Sequence, residues 1–259
     1  GTGKTPSVIK LFEILNDLNF KVSTGKKFYS SQIDEISILQ KKTKLIEEKN
    51  RSMILKEAIN KDQNIIIFDD GLQDKRISYD LQFVCFDTNN FIGNGQLLPS
   101  GPLREKISSL KKYDAVFLKG EDDNLTNHVD LIRTHNANIQ IFETYFEINN
   151  LNEFNLKEDY LIFSGIGNPH SFKNILKKNN FNVVKEVIFP DHYNYTKSEI
   201  EKLKIQARNI NAKIITTEKD FVKVSQLDSS NIDFVEVKLK VKNEKNLINF
   251  LKTKMYEKY

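Results

Sequence analysis

Apolar positions at three- and four-residue spacing open the chain: Val8, Ile9, Leu11, Phe12, Leu15 and Leu18 share one face of a helix over residues 4–18. Pro6 falls in its first turn, where the missing N–H costs nothing. From there to about residue 50 the pattern is hard to read. A helix follows over Met53–Asn60, then an apolar run, Ile65-Ile66-Ile67-Phe68, that stops at Asp69-Asp70. Strand patterns return at Leu81–Phe86 and Ala115–Leu118. Residues 138–155 alternate, rich in aromatics and asparagine, and read as an extended ribbon. Beyond it come a strand at Tyr160–Phe163, a helix near Ser171–Lys178, a strand at Val183–Phe189, a helix over 197–209 and a strand at Lys213–Thr216. Thr196 and Glu199 have the spacing of a capping box at the start of that last helix.

Strands alternating with helices predict an α/β fold, a parallel sheet flanked by helices on both faces. The ribbon divides it, so the expected organisation is a lobe over 1–140, a connection over 141–157 and a smaller α/β lobe over 158–259. The chain has 259 residues, enough to bury roughly 70–75% of its unfolded surface.

Composition changes this picture little. With 39% hydrophobic and 29% charged residues the chain fits a globular protein, and its longest apolar runs are far too short to span a bilayer. The single cysteine, Cys85, excludes an intrachain disulfide and, set in Phe83-Val84-Cys85-Phe86, reads as core packing in a reducing compartment. A net charge of +4 arises from 39 basic and 35 acidic residues spread without a block, which gives no footprint for nucleic acid.

The chemistry concentrates at a few turns. Gly3-Lys4-Thr5 is the end of a Walker A loop, G-x-x-x-x-G-K-[ST], whose leading glycine would precede residue 1; with no initiator Met, the chain reads as a fragment lacking the strand that feeds this loop. Such a loop cradles phosphates on backbone N–H groups at a helix N-terminus, with Lys4 on the β/γ-phosphates and Thr5 on Mg²⁺. Asp69 and Asp70, at the carboxyl end of an apolar strand, stand where a Walker B carboxylate belongs. Arg104 and Glu105 follow in a Gly/Pro loop, where an arginine can clamp a phosphoryl group. Gly165 and Gly167 hint at a dinucleotide turn, but His170 occupies the third glycine position. Asp191 and His192 end another strand, a setting for acid/base work. His128, His135 and His170 lack ligand spacing, so no zinc site is expected. Asp34 and Glu35 by themselves read as a solvated turn or helix start.

Five stretches in order, Gly1-Thr2-Gly3-Lys4-Thr5-Pro6, Asp69-Asp70-Gly71-Leu72-Gln73, Gly101-Pro102-Leu103-Arg104-Glu105, Phe189-Pro190-Asp191-His192-Tyr193 and Thr216-Thr217-Glu218-Lys219-Asp220, closely resemble the tetraacyldisaccharide 4′-kinases, the lipid A 4′-kinase family. The resemblance implies two lobes joined by a β-ribbon, the first P-loop NTPase-like. It implies transfer of the ATP γ-phosphate to the 4′-hydroxyl of a tetraacylated glucosamine disaccharide 1-phosphate, at the cytoplasmic face of the bacterial inner membrane. A hydrophobic segment before residue 1 would anchor the chain there, and no obligate protein partner is implied.

By position, the resemblance implies that Gly1, Thr2, Gly3, Lys4, Thr5 and Pro6 hold the nucleotide. Thr5, Asp69, Asp70, Gln73 and Glu105 would serve the Mg²⁺ corner, and Arg104 would steady phosphate charge. Asp34 resembles a general base working with His192. Here the family's Gly-Asp-Glu-Pro reads Ile33-Asp34-Glu35-Ile36, and its Ser-Arg-Gly-Tyr-Gly segment is barely recognisable in residues 23–31. Two other readings stay open: a P-loop ATPase or GTPase switch acting on a protein partner, and a non-catalytic nucleotide-binding homologue.

Overall fold

A computed structural model describes residues 3–29, 32–120 and 125–256. The chain opens with α1 (Lys4–Asp17), β1 (Val22–Lys27), α2 (Ile33–Lys42), β2 (Leu45–Glu48), α3 (Arg51–Asn60) and β3 (Ile65–Phe68). It continues with β4 (Phe83–Asp87), β5 (Ala115–Lys119), α4 (Thr126–His135), β6 (Gln140–Ile148) and β7 (Asp159–Ser164). The remainder is α5 (Pro169–Lys178), β8 (Asn182–Ile188), α6 (Lys197–Asn209), β9 (Lys213–Thr217), α7 (Glu218–Val224), β10 (Ile232–Val235), β11 (Val237–Val241) and α8 (Glu244–Tyr256).

These elements fall into two compact units, each discontinuous in sequence. One, here the α1 unit, holds the described residues of Thr2–Gly25, Arg51–Tyr145 and Leu239–Tyr259; the other, the α2 unit, holds Lys26–Asn50 and Phe146–Lys238. Residues 26–50 thus belong with the later part of the chain and the C-terminal helix with the earlier part. A cut at 140 and 158 does not follow that division.

In the α1 unit, Leu11, Phe12, Ile14 and Leu15 of α1 pack with Val22, Phe117, Phe142, Leu247 and Leu251 in one core. The three- and four-residue spacing of α1 exists to fill it. β1 pairs parallel with β3, Val22 opposite Ile65 and Gly25 opposite Phe68. Gly25 admits no side chain, since a Cβ there would lie 2.9 Å from Ile54 Cγ2 and 3.1 Å from Phe68 Cδ1. β4, β5 and β6 are parallel neighbours in a sheet ordered β11-β6-β5-β4.

The connection expected over 141–157 begins in an extended strand that lies between β11 and β5. Its first part is β6, a nine-residue strand paired parallel with β5 from Gln140 to Thr144, and a short 3-10 turn follows at Leu151–Glu153. Alternating apolar residues suit either a ribbon or a strand with one face buried, and here Phe142, Thr144 and Ile148 are the buried ones.

In the α2 unit the sheet is ordered β10-β9-β7-β8, every neighbour parallel. β7 lies between β8 and β9, so chain connections leave it in both directions and the sheet has a switch point at its carboxyl edge. Buried faces of α5 and α6 cover it through Phe172, Leu176, Ile200 and Leu203. The capping box of α6 is complete: the Thr196 hydroxyl accepts from the Glu199 N–H, and the Glu199 carboxylate accepts from the Thr196 N–H at 2.9 Å. α2 packs against α7.

Candidate active site

The α1 unit carries the phosphate-type corner. Gly3 has a φ of 83°, the left-handed region that glycine enters at little cost, and α1 starts immediately after it with no side-chain cap on its first N–H groups. Free N–H groups at a helix start attract anions. Gly1 and Thr2, the first expected nucleotide contacts, lie outside the described residues. Lys4 and Thr5 project onto the carboxyl end of β3. The Thr5 hydroxyl donates to Asp69 Oδ2 at 2.9 Å, and Lys4 Nζ lies 3.0 Å from Asp70 Oδ1. Asp69 is buried and its N–H donates to the Gly25 carbonyl across β1, which fixes where the strand ends.

Asp70 is a meeting point. Arg104 donates to its Oδ1 at 2.6 Å and to Gln73 Oε1 at 3.3 Å, while Arg51 donates to its backbone carbonyl. Burial would raise the Asp70 carboxyl, but the Arg104 and Lys4 cations outweigh it and hold the group down to about 2. Its φ of 59° is left-handed, a strained setting for a non-glycine residue that recurs at functional turns. Lys4, Thr5, Asp69, Asp70, Gln73 and Arg104 are therefore brought together. Glu105 is engaged elsewhere: Tyr113 donates to it at 2.9 Å, and burial together with that carboxylate pushes the Tyr113 phenol up to about 12. Among the described residues no group of three or more His, Cys, Asp or Glu side chains is arranged to hold a metal ion.

The α2 unit carries a second cluster. Asp34 and Glu35 occupy the first turn of α2, the helix start of the two settings expected, and the Asp34 side chain is wholly buried rather than solvated. Its Oδ1 accepts from the Glu35 N–H at 2.9 Å. Two lysines and an imidazole ring Oδ2 at longer range: Lys223 Nζ at 3.4 Å, Lys219 Nζ at 3.7 Å and His192 Nδ1 at 3.8 Å. The packing of α2 on α7 explains this, because Lys219 and Lys223 are four residues apart on α7 and share the face turned to α2. Glu35 bonds Lys26 at 2.7 Å and Lys219 at 3.4 Å; burial opposes its ionisation, yet those two cations keep its carboxyl below the ordinary value.

His192 arrives from the turn after β8. Its φ is 59°, and its N–H donates to the Gly165 carbonyl at the end of β7. Gly165 in turn donates to Asp220, which also accepts from Tyr195 and Thr217, so one buried carboxylate ties together the turns after β7, β8 and β9. This accounts for the Gly165-x-Gly167 stretch as a tight turn over the switch point. The family resemblance pairs Asp34 with His192 but gives no role to Lys26, Lys219, Lys223 or Asp220. The Thr-Thr-Glu-Lys-Asp stretch at the end of β9 was the available signal.

Comparison with known proteins gives the family. The family model for tetraacyldisaccharide-1-P 4′-kinase matches residues 24–256. The tetraacyldisaccharide 4′-kinase of Pelagibacter ubique (strain HTCC1062) is 44% identical over 251 residues, covering 97% of this chain and 80% of its own length. That of Rickettsia bellii (strain OSU 85-389) is 36% identical, covering 100% of this chain and 82% of its own. The crystal structure of LpxK from Aquifex aeolicus in complex with ATP shares the fold, with a TM-score of 0.68 at 21% identity over 98% of this chain and 84% of that one. The family-model match spans Asp34, Asp69, Asp70, Arg104 and His192, and the chain belongs to the tetraacyldisaccharide-1-P 4′-kinase family.

Proposed function

We propose that the chain transfers the γ-phosphoryl group of ATP to the 4′-hydroxyl of a tetraacyl glucosamine disaccharide 1-phosphate. The observation that carries the reading is the pair of contacts Thr5–Asp69 and Lys4–Asp70 at the carboxyl end of β3, in a chain of this family. Lys4 and Arg104 are each about half exposed and are held by Asp70 alone or with Gln73, so both are free to turn onto nucleotide phosphate.

The donor set suits Mg²⁺. Thr5 and Asp69 offer hard oxygens already in contact, and Mg²⁺ takes one or two carboxylates with phosphate oxygens and water in preference to an all-protein cage. Thr5 and Asp69 would hold it, with the ionised Asp70 beside them; Gln73 and Glu105 sit further out, bonded to Arg104 and Tyr113. Bound there, the ion would neutralise charge on the β- and γ-phosphate oxygens.

Asp34 accepts the proton of the attacking hydroxyl and His192 orients it. The carboxylate is fully covered, so the hydroxyl enters by displacing a lysine ammonium that stands 3.4 to 3.7 Å from Oδ2. Contacts of that length tighten only once substrate is bound. The acceptor is amphipathic, and the reading places catalysis at a membrane surface, on its cytoplasmic face; no described helix is long and apolar enough to cross a membrane. The test is transfer of labelled phosphate from ATP to the acylated disaccharide 1-phosphate in detergent micelles. Label on the acceptor supports the proposal, whereas hydrolysis without acceptor, stimulated by a protein partner, would replace it with a nucleotide-dependent switch.

A further inference from the structure

We propose that Lys219 is a positioning residue that fixes the tautomer of His192, holding its ring proton on Nδ1 and directing that N–H at Asp34. Lys219 Nζ lies 3.3 Å from His192 Nε2. An ammonium has three donors and no acceptor, so this contact is a hydrogen bond only when Nε2 carries the lone pair. In a neutral imidazole the proton is then on Nδ1. That atom is buried, makes no hydrogen bond of ordinary length among the described residues, and has Asp34 Oδ2 before it at 3.8 Å. Oδ2 is likewise buried with no such bond. The one proton placement that serves both atoms is Nδ1–H pointing to Oδ2.

Other neighbours hold Lys219 in place for this task. Its ammonium also reaches Glu35 Oε1 at 3.4 Å, Asp34 Oδ2 at 3.7 Å and Asp191 Oδ1 at 4.0 Å. Lys26 binds the other Glu35 oxygen, and Lys223 donates to the Tyr193 carbonyl at 3.0 Å, which pins the turn that carries the imidazole. An imidazolium would set a second N–H donor and a second charge against the Lys219 ammonium. The arrangement therefore divides the roles: the His192 lone pair is committed to Lys219, the ring serves as a donor, and the base left facing a substrate hydroxyl is Asp34. The kinetic part of this inference rests on the proposed kinase reaction; the tautomer does not.

Two-bond ¹H–¹⁵N correlation spectra of the whole chain labelled at histidine, recorded at mildly alkaline pH without nucleotide or acceptor, decide it. His192→Gln identifies the resonance. The expected wild-type pattern is that of Nδ1–H with a bare Nε2. In Lys219→Met the preference should be lost or inverted, and kcat for transfer should fall about tenfold or more with the KM for ATP unchanged. Lys219→Arg, also a pure donor, should restore both. A wild-type Nε2–H pattern, or an Nδ1–H pattern that persists in Lys219→Met, would overturn the inference. If Lys219→Met fails to fold, the wild-type spectrum decides alone. An Nδ1–H pattern in a chain that transfers no phosphate would count against the kinase reading and leave the tautomer assignment standing.

Discussion

Tyr195→Phe removes one hydroxyl and keeps a ring that packs edge-on against Phe163 at 5.5 Å and Phe189 at 5.1 Å. The hydroxyl donates to Asp220 Oδ1 at 2.9 Å, whereas the Gly165 N–H and the Thr217 hydroxyl both serve Oδ2. Asp220 is fully buried, and that burial raises its carboxyl despite the three donors. A hydrogen bond to a buried charged group contributes about 1.5–3 kcal/mol net, so the variant should lose about 2 kcal/mol near neutral pH. A carboxyl raised in the folded state makes ionisation work against folding as pH rises through its titration, and the hydroxyl limits that loss. The deficit should therefore be largest at neutral pH and shrink to about 1 kcal/mol in acid, where Asp220 is protonated and the bond is neutral. Urea unfolding of wild type, Tyr195→Phe, Asp220→Asn and the double variant measures it, with the cycle isolating the pair. A deficit below about 0.5 kcal/mol at neutral pH, or strict additivity in the cycle, would refute the claim that this carboxylate ties the three turns together.

Asp70 predicts the opposite pH behaviour. Its folded carboxyl is held to about 2 against an ordinary 3.8, so its contribution is fully present above about pH 4 and is lost as pH falls toward 2. Because Lys4 and Arg104 are 41% and 45% exposed, solvent screening limits the contribution to about 1 kcal/mol, and Asp70→Asn should remove that part of the acid dependence in stability curves. Burial pushes the Cys85 thiol up to about 11, so a thiolate-selective reagent near pH 8 should label the native chain slowly and the urea-unfolded chain at an ordinary rate; equal rates would place Cys85 outside the core.

The sequence was most legible where one periodicity served one core. α1 and β3 follow from spacing alone, and Asp69-Asp70 stands out because an apolar strand ends on it. β1 was hidden for a physical reason. It reads Val-Ser-Thr-Gly-Lys-Lys, yet Ser23, Thr24 and Lys26 are buried, each polar group answered by a partner that propensity cannot see. Lys26 meets Glu35 nine residues on, and Glu35 meets Lys219 a further 184 residues away. Asp34 looked solvated because its surroundings come from α7 and from the turn after β8. The alternation of β6 fits a strand within a sheet as well as a free ribbon, and only its pairing with β5 separates the two. Resemblance to a family supplied Asp34 and His192 as a pair; the lysines around them required coordinates.

The central claim is that Asp34 removes the proton from an acceptor hydroxyl. Its most direct test is single-turnover transfer of labelled phosphate from ATP to tetraacyldisaccharide 1-phosphate in micelles, wild type beside Asp34→Asn, after circular dichroism has shown both to be folded. Wild type should transfer label, and the variant should lose at least about 10²-fold in the chemical step with ATP affinity retained. Transfer at near wild-type rate by Asp34→Asn would contradict it.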